Sequence, residues 1–257
     1  MTDTLAISAA PSRRMIYGSL LRADWIIFLK NRRSLILSLL LPYLILQSTS
    51  SSASTAKLGG ALFVTGLAIT YGIASVSIMG YSLSVARDRE RGVFQRLRVT
   101  PASTASIMVC RLAVQMLANL VIALVVLILA GRIHHLSLSF SQYLLVLLIS
   151  LLGGAMFLSI GQAIVALVKT SDTVNSAARL VYIALIFLGI LGQTGALGKT
   201  WDTLARWSPV GVTLRLYAGV LDLSAWSGKD FESLCVAFVY VVVFTFVGVR
   251  FFQWESR

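Results

Sequence analysis

The amino-acid sequence predicts an all-α membrane protein with six transmembrane helices, and two observations lead to this fold class. Hydrophobic residues make up 57% of the 257 residues, whereas charged residues make up only 12%. The charges are unevenly spaced, and six long stretches contain no Asp, Glu, Lys or Arg: 34–56, 58–86, 112–131, 133–168, 180–198 and 233–249. A helix needs about 20 apolar residues to cross a bilayer. A water-soluble core would not need six such stretches, and a β-barrel would show short alternating segments instead.

The distribution of basic residues predicts the orientation of these helices. The net charge is +12, and Lys and Arg concentrate before residue 34, in 86–101 and near Lys169 and Arg250. Segments rich in Lys and Arg remain in the cytoplasm, so we predict that both termini are cytoplasmic. The positive charge then indicates contact with anionic lipid headgroups rather than nucleic-acid binding.

The first half of the chain is expected to hold an interfacial helix and two spans. Residues 1–12 are small and polar and are predicted to be disordered. Residues 13–33 mix basic and apolar residues at helical spacing, which predicts an amphipathic helix in the cytoplasmic interface. The first span covers about 34–50 and contains Pro42, which predicts a kink. The second span covers about 60–85.

The third and fourth spans follow a start signal at Thr100-Pro101. A Thr cap followed by Pro at the first helical position favours a helix that begins there. The third span reaches about residue 130, and Arg111 is expected to extend towards the interface. The fourth span covers about 143–168. It carries a row of small residues that predicts a helix-packing face: Ala155, Ser159 and Ala163.

The last part of the chain predicts two further spans separated by a long outer segment. The fifth span covers about 174–197, and its glycine-rich end predicts a bend. Residues 199–230 mix Trp and Leu with charges, which indicates one or two short helices in the outer interface. The sixth span covers about 231–252. The organisation is thus one domain, with an N-terminal segment 1–33, a membrane domain 34–252 and a tail 253–257.

Few residues indicate catalytic or metal chemistry. Gly198-Lys199-Thr200 resembles the end of a phosphate-binding loop. That loop needs a glycine five residues before Gly198, and this chain has Gln193 there. His134 and His135 are adjacent and have no nearby carboxylates, so we expect a solvated loop rather than a metal site. Cys110 lies in a predicted span, as does the second cysteine, and both are expected to pack as small apolar residues. We therefore predict no enzyme activity, no cofactor and no metal in this chain.

The charged segment 86–101 is the most specific feature of the sequence. On a helix, Val93, Phe94 and Leu97 lie close together because they are three or four residues apart. Charged residues surround them, which indicates a short amphipathic helix presented to a protein partner. The alternative is an ordinary solvated loop that satisfies the charge bias.

Residues 89–101 resemble the segment between the second and third spans of ABC type-2 permeases, including the daunorubicin-resistance-like exporters. The family pattern is roughly Arg-Glu-x-Gly-Thr-x-Glu-x-Leu, followed after two residues by Ser/Thr-Pro. The matching positions are Arg89, Glu90, Gly92, Leu97, Thr100 and Pro101. Val93 and Gln95 depart from the pattern. Weaker matches follow in the same order along the chain: Pro42, Arg111, Ser208-Pro209 and the basic-aromatic end 250–255.

The resemblance implies the permease subunit of an ATP-binding-cassette exporter in the cell membrane. Such a permease dimerises and sits on two separate ATPase subunits, which bind ATP and Mg²⁺. The substrate is expected to be a drug, an antibiotic or a lipid-like molecule. Phe94 and Leu97 are expected to fill a cleft of the ATPase while charges pair at its rim. The residues expected to couple the two subunits are Arg89, Glu90, Arg91, Gly92, Phe94, Arg96, Leu97, Thr100 and Pro101.

Two other functions remain open at this stage. A polysaccharide or glycolipid exporter would share the same architecture. A secondary transporter or channel would work without ATP, although such proteins usually bury a charged residue in mid-span. No Asp or Glu lies in the middle of a predicted span, which counts against an ion-driven mechanism.

Overall fold

The computed structural model describes residues 13–30, 32–51, 55–56, 59–98, 104–194 and 198–252, and every regular element in these ranges is helical. The predicted disordered residues 1–12, the tail 253–257 and Thr100-Pro101 lie outside them. The first elements are α1 (Arg13–Lys30), α2 (Arg32–Ser48), α3 (Ala61–Ala74), a π-helical segment (Ser75–Tyr81), α4 (Ser82–Glu90) and α5 (Val93–Arg98). The later elements are α6 (Thr104–Ile133), α7 (Phe140–Leu167), α8 (Ser171–Thr194), α9 (Lys199–Trp207), α10 (Pro209–Leu221), a 3₁₀ turn (Leu223–Ala225) and α11 (Gly228–Phe251).

Five helical stretches in the described ranges are long and apolar enough to cross a membrane. They correspond to predicted spans two to six: Ala61–Glu90, Ser106–Ile133, Phe140–Leu167, Ser171–Ile190 and Gly228–Phe251. The first predicted span is helix α2, which continues through Pro42, but its described apolar part is the shorter Ser38–Ser48. The protein is therefore a multi-pass helical membrane protein.

The helix Ala61–Glu90 lies at the centre of the bundle, and most of its residues are buried. The core around it is formed by large apolar side chains from α3, α6, α7 and α10, among them Tyr71, Ile122, Phe157 and Leu216. Helix α11 lies at the edge, packs against α7 and exposes a row of apolar residues. Because these side chains face outwards in a membrane protein, we assign them to lipid contact.

The second span ends later than predicted. The sequence places its end near residue 85, where the charges begin, whereas the helix continues to Glu90. Arg87 and Glu90 are exposed, but Arg89 is buried. The charged residues 87–90 therefore belong to the last turns of the spanning helix, and only Val93–Arg98 forms a separate short helix.

The π-helical segment is held by polar side chains from α6 and by close contact with α7. Gln115 Nε2 donates a hydrogen bond to the Val76 carbonyl at 3.2 Å, and Asn119 shares hydrogen bonds with Ser77. Ser82 Oγ donates to the Gly161 carbonyl at 3.1 Å. These bonds satisfy polar groups that have no water partner inside a bilayer.

Helix α10 corrects the prediction for the outer segment. Residues 199–230 were expected to lie in the interface, and α9 is largely exposed, as that predicts. In contrast, α10 enters the core, where Tyr217 is fully buried and its hydroxyl lies 2.9 Å from Ser150 Oγ. Gly66 permits this approach, because a Cβ there would lie 3.0 Å from the Tyr217 Cβ. Leu, Val and Tyr residues on α10 pack against α3, α7 and α8, so the helix is a packed element and not a surface one.

The predicted row of small residues on α7 serves two purposes. Ala163 is buried, and the backbone of α7 at this residue lies close to α11, because a Cβ on Gly248 would lie 3.5 Å from the Ala163 nitrogen. Ala163 therefore belongs to the contact between α7 and α11. Ala155 and Ser159 instead line a cavity between α6, α7 and α11.

Substitution of Gly161 tests how closely α7 approaches the π-helical segment. A Cβ at this position would lie 2.7 Å from the Ser77 carbonyl oxygen, so Gly161→Ala requires the backbones to separate. We expect a loss of about 1–3 kcal/mol, as for other overpacked sites. Thermal unfolding of the purified protein would measure it.

Gly18→Ala is the matched control for this change. Gly18 also lies in a helix, but no atom of the described residues lies within 4 Å of the point that a Cβ would occupy. The substitution should therefore leave the unfolding midpoint equal or slightly higher. Equal midpoints for the two variants would contradict the close approach of α7 to the π-helical segment.

Candidate functional site

The candidate site lies at the end of the bundle where α4 passes into α5. We call this end, which holds Arg87, Arg91, Lys169 and Arg250, the basic end. Helix α4 stops at Glu90, and the Gly92 N–H donates to the Arg89 carbonyl at 3.1 Å. Gly92 has a φ of +67°, a conformation that residues with a side chain rarely adopt. Glycine at this position therefore allows the chain to turn sharply into α5.

Arg89 is buried and binds the end of α7. Only 4% of the residue is exposed, and its guanidinium donates to the carbonyls of Val165 at 2.9 Å, Val168 at 2.7 Å and Lys169 at 2.6 Å. The last carbonyls of a helix have no partner within the helix and carry partial negative charge. A guanidinium is therefore well suited to satisfy them, and this contact joins α4 to α7.

Glu90 binds the start of the next helix, α8. Its carboxylate accepts hydrogen bonds from the Ser171 backbone N–H at 2.5 Å and from the Ser171 hydroxyl at 2.6 Å. Negative charge is favourable at a helix N-terminus, where the first N–H groups are unpaired. Arg89 and Glu90 together hold both sides of the turn between α7 and α8.

Arg111 on α6 is surrounded by two acids and an aromatic ring. Its guanidinium lies 2.5 Å from the Asp88 carboxylate and 3.9 Å from that of Asp24 on α1. The guanidinium carbon lies 5.4 Å from the centre of the Phe94 ring, which is a cation–π distance. Burial raises the pKa of Asp24, while the charge of Arg111 opposes this shift. The cluster joins α1, α4, α5 and α6.

Phe94 faces the interior of its own chain, which corrects the expectation that its ring fills a cleft of a partner. Only 2% of the residue is exposed. Its ring packs edge-on against Phe252, with 6.1 Å between the ring centres, and Arg111 covers it. It belongs to an apolar cluster that includes Val85 and Val165. The ring therefore attaches α5 to the bundle.

The other expected coupling residues occupy different positions. Arg91 is exposed, Gly92 forms the turn, and the neighbouring Gln95 is exposed on α5. Arg96 and Leu97 lie within α5, but their side chains fall outside the described part of the structure. Thr100 and Pro101 are also outside it. The structure thus brings Arg89, Glu90 and Phe94 into one network.

Sequence reasoning did not find several members of this network. Asp24 and Asp88 were overlooked, although an isolated acid within a basic segment is a signal for an internal ion pair. Arg111 was expected to extend towards the interface, whereas it is paired inside the bundle. Phe252 was noticed only as part of the basic-aromatic end. Among the described residues, no cluster of three His, Cys, Asp or Glu side chains could hold a metal ion.

Comparison with known families gives a clear assignment. The family described as ABC-2 type transporter matches residues 16–221, which is well over half of the chain. The chain belongs to this family. A search of curated proteins found no match. ABC-2 members are membrane transport components and are not themselves catalytic. Most of the network described above lies within the matched residues, and Phe252 lies beyond them.

Substitution of Arg89 should loosen the turn between α7 and α8. Arg89→Gln removes the buried guanidinium and leaves carbonyls of Val165, Val168 and Lys169 without their donor. Hydrogen bonds to charged groups contribute about 1.5–3 kcal/mol each, so we expect amide exchange in residues 168–173 to accelerate at least about tenfold. Hydrogen-exchange mass spectrometry would measure it.

Arg87→Gln is the control for this experiment, because Arg87 is an exposed arginine on the same helix and the charge change is identical. Its exchange rates should match those of the unmodified protein. If both variants accelerate exchange equally, general loss of positive charge is responsible and the assigned role of Arg89 is wrong.

Asp24→Asn should stabilise the protein at neutral pH. Burial raises the pKa of Asp24 above its ordinary value near 3.8, so the folded state holds this proton more tightly than the unfolded state does. The protonated carboxyl of Asp24 makes its full contribution to folding stability at low pH. This contribution is lost as the pH rises through the raised pKa. The advantage of Asp24→Asn over the unmodified protein should therefore grow with pH, as measured by unfolding midpoints from about pH 4, near the ordinary pKa of Asp, upwards.

Asp88→Asn supplies the opposite case, because Asp88 makes the close ion pair with Arg111. This variant should lower the unfolding midpoint at neutral pH. If the two substitutions changed the unfolding midpoint equally, Asp24 and Asp88 would be equivalent partners of Arg111. This would contradict the distances of 3.9 Å and 2.5 Å between their carboxylates and the guanidinium.

Proposed function

We propose that this chain is the membrane-spanning permease subunit of an ATP-binding-cassette exporter of the daunorubicin-resistance-like group. It would move an amphipathic or hydrophobic substrate, such as a drug, an antibiotic or a lipid-like molecule, out of the cytoplasm. A separate ATPase subunit would bind ATP and Mg²⁺ and hydrolyse the nucleotide. The observation that carries this proposal is the attachment of α5 to several spanning helices at the basic end, in a chain of the ABC-2 family.

The contacts around α5 support a path for mechanical force. A partner that binds the exposed side of α5 would meet Arg91 and Gln95, while Phe94 on the inner side contacts Phe252 and Arg111. One turn away, Arg89 and Glu90 hold the ends of α7 and α8. Movement of α5 would thus reach five helices. ATP can drive transport only if the ATPase prefers one conformation of the permease over another.

The proposed topology has six spans with both termini in the cytoplasm, in the cell membrane. Helix α2 would be the first span, and its close packing against α3 supports this assignment: a Cβ on Gly72 would lie 3.1 Å from Pro42 Cγ. The positive charge of the basic end supports a cytoplasmic location for it. A complete transporter would contain two permease chains and two ATPase subunits.

Arg91→Glu tests the proposed partner. We expect affinity purification from native membranes to recover an ATPase with the unmodified chain, and at least about tenfold less with Arg91→Glu, because reversed charge at an interface rim is strongly unfavourable. Arg132→Glu is the matched control, since Arg132 is an exposed arginine at the opposite end of the bundle. It should recover the ATPase normally.

Cross-linking gives a second measurement on the same preparation. Gln95→Cys, introduced after Cys110 and Cys235 are replaced by alanine and serine, should form a cross-link to the ATPase, because Gln95 is exposed on α5. Recovery of no ATPase with the unmodified chain, together with transport that persists after ATP depletion, would favour a secondary transporter and reject the proposal.

A further inference from the structure

A cavity of about 400 Å³ lies between the π-helical segment, α6, α7 and α11, next to the basic end. Its wall is mainly apolar, with Met108, Leu112 and Met116 from α6 and Leu158 from α7. Pockets that bind small ligands usually enclose about 300–1,000 Å³. Phe252 closes the side nearest the basic end and also contacts Phe94, so the cavity borders the network around α5.

One amide group in this wall has unused hydrogen-bonding capacity. Tyr81 donates its hydroxyl proton to Gln162 Oε1 at 2.5 Å, and this bond leaves the Gln162 Nε2 group as the free end of the amide. No described residue accepts a hydrogen bond from Nε2. The backbone of α11 at Gly248 packs closely against the Gln162 side chain, because a Cβ there would lie 2.6 Å from Gln162 Cγ. An unpaired donor is costly away from water, so an acceptor from a ligand would be favourable.

The cavity is open to the lipid-facing surface of the bundle. Leu112 and Val249 line it, and they are also 37% and 72% exposed on the outer faces of α6 and α11. The neighbouring exposed residues on these faces are apolar, including Val109 and Phe246. A molecule would therefore enter from the hydrocarbon of the bilayer rather than from water.

The depth of Gln162 is suited to a lipid ester. Gln162 precedes Lys169 by seven residues, which is ~10 Å along a helix at 1.5 Å per residue. The polar region on each side of a bilayer is about 5–8 Å thick, so Gln162 lies close to the boundary with the hydrocarbon if Lys169 is at the surface. Ester carbonyls of glycerolipids occupy this boundary. Among the residues that the structure describes, none that lines the cavity is charged, which suits an apolar chain and a neutral acceptor.

We propose that this cavity binds one acyl chain of a membrane glycerolipid, whose ester carbonyl accepts a hydrogen bond from Gln162 Nε2. The headgroup stays at the bundle surface. The glycerol end of the bound lipid lies beside Phe252, so its presence is linked to the position of Phe94 and of α5. This site does not depend on the proposed export function.

Photo-crosslinking in lipid nanodiscs tests the site directly. The probe is phosphatidylcholine with a diazirine on one acyl chain, and the adducts are located by mass spectrometry. We expect adducts on cavity residues such as Met108, Met116 and Val241. Gln162→Leu should reduce their yield about three- to tenfold, the effect of one lost hydrogen bond. Ala155→Phe, which fills the cavity and keeps Gln162, should reduce it further.

Leu148→Phe is the matched control, because Leu148 lies on the same helix, is 51% exposed and does not line the cavity. It should leave the adduct yield unchanged. Unfolding midpoints of all variants, measured on the same samples, separate loss of the site from loss of the fold, and the adduct map of the unmodified protein is decisive if a variant does not fold.

Two outcomes would overturn the proposal. Adducts spread evenly over exposed residues such as Phe238 and Leu148 would indicate ordinary surrounding lipid only. Displacement of the probe by a soluble single-chain amphiphile, but not by excess unlabelled phosphatidylcholine, would assign the cavity to a transported amphiphile and not to a glycerolipid.

Discussion

The guanidinium of Arg89 lies where α7 ends, and the arrangement of the basic end depends on its three hydrogen bonds to the main chain. A buried charge is costly unless nearby groups replace its water shell, and unpaired helix carbonyls do so here. Because Glu90 binds the first residue of α8, two consecutive side chains hold the turn between two spanning helices. These two residues therefore fix the position of this turn relative to the end of α4.

This connection places α5 close to several helices at once. Phe94 contacts Arg111 and Phe252, and Arg111 in turn is held by Asp88 and Asp24. The short helix is thus linked to the first helix of the chain through Arg111 and Asp24, and to the end of the last helix through Phe252. At its other end, α4 continues through the π-helical segment into α3 without a loop. A π-helical turn inside an α-helix is frequently found at functional sites. Here polar groups of α6 hold this turn in place.

Some parts of this arrangement could be predicted and others could not. The charge-free stretches predict the spans because crossing a bilayer requires length and low polarity, both of which are local properties. The helical spacing of Val93, Phe94 and Leu97 predicts a short helix, and α5 confirms that element. Spacing does not show which side of a short helix faces its own chain, so the prediction that Phe94 points towards a partner was wrong. The ion pairs of Arg111 were not predicted for a similar reason, since its partners Asp88 and Asp24 lie on other helices.

The amino-acid sequence was sufficient to establish a multi-pass helical membrane protein and to point to its family, because hydrophobic length and a contiguous motif are properties of neighbouring residues. Three-dimensional packing was needed to show that Arg89 and Glu90 hold the turn between α7 and α8, since their partners are 76 to 81 residues away. Packing also decided that α10 enters the core, where Gly66 on α3 makes room for Tyr217. The charged segment with the clearest pattern in the sequence therefore acts largely inside its own chain.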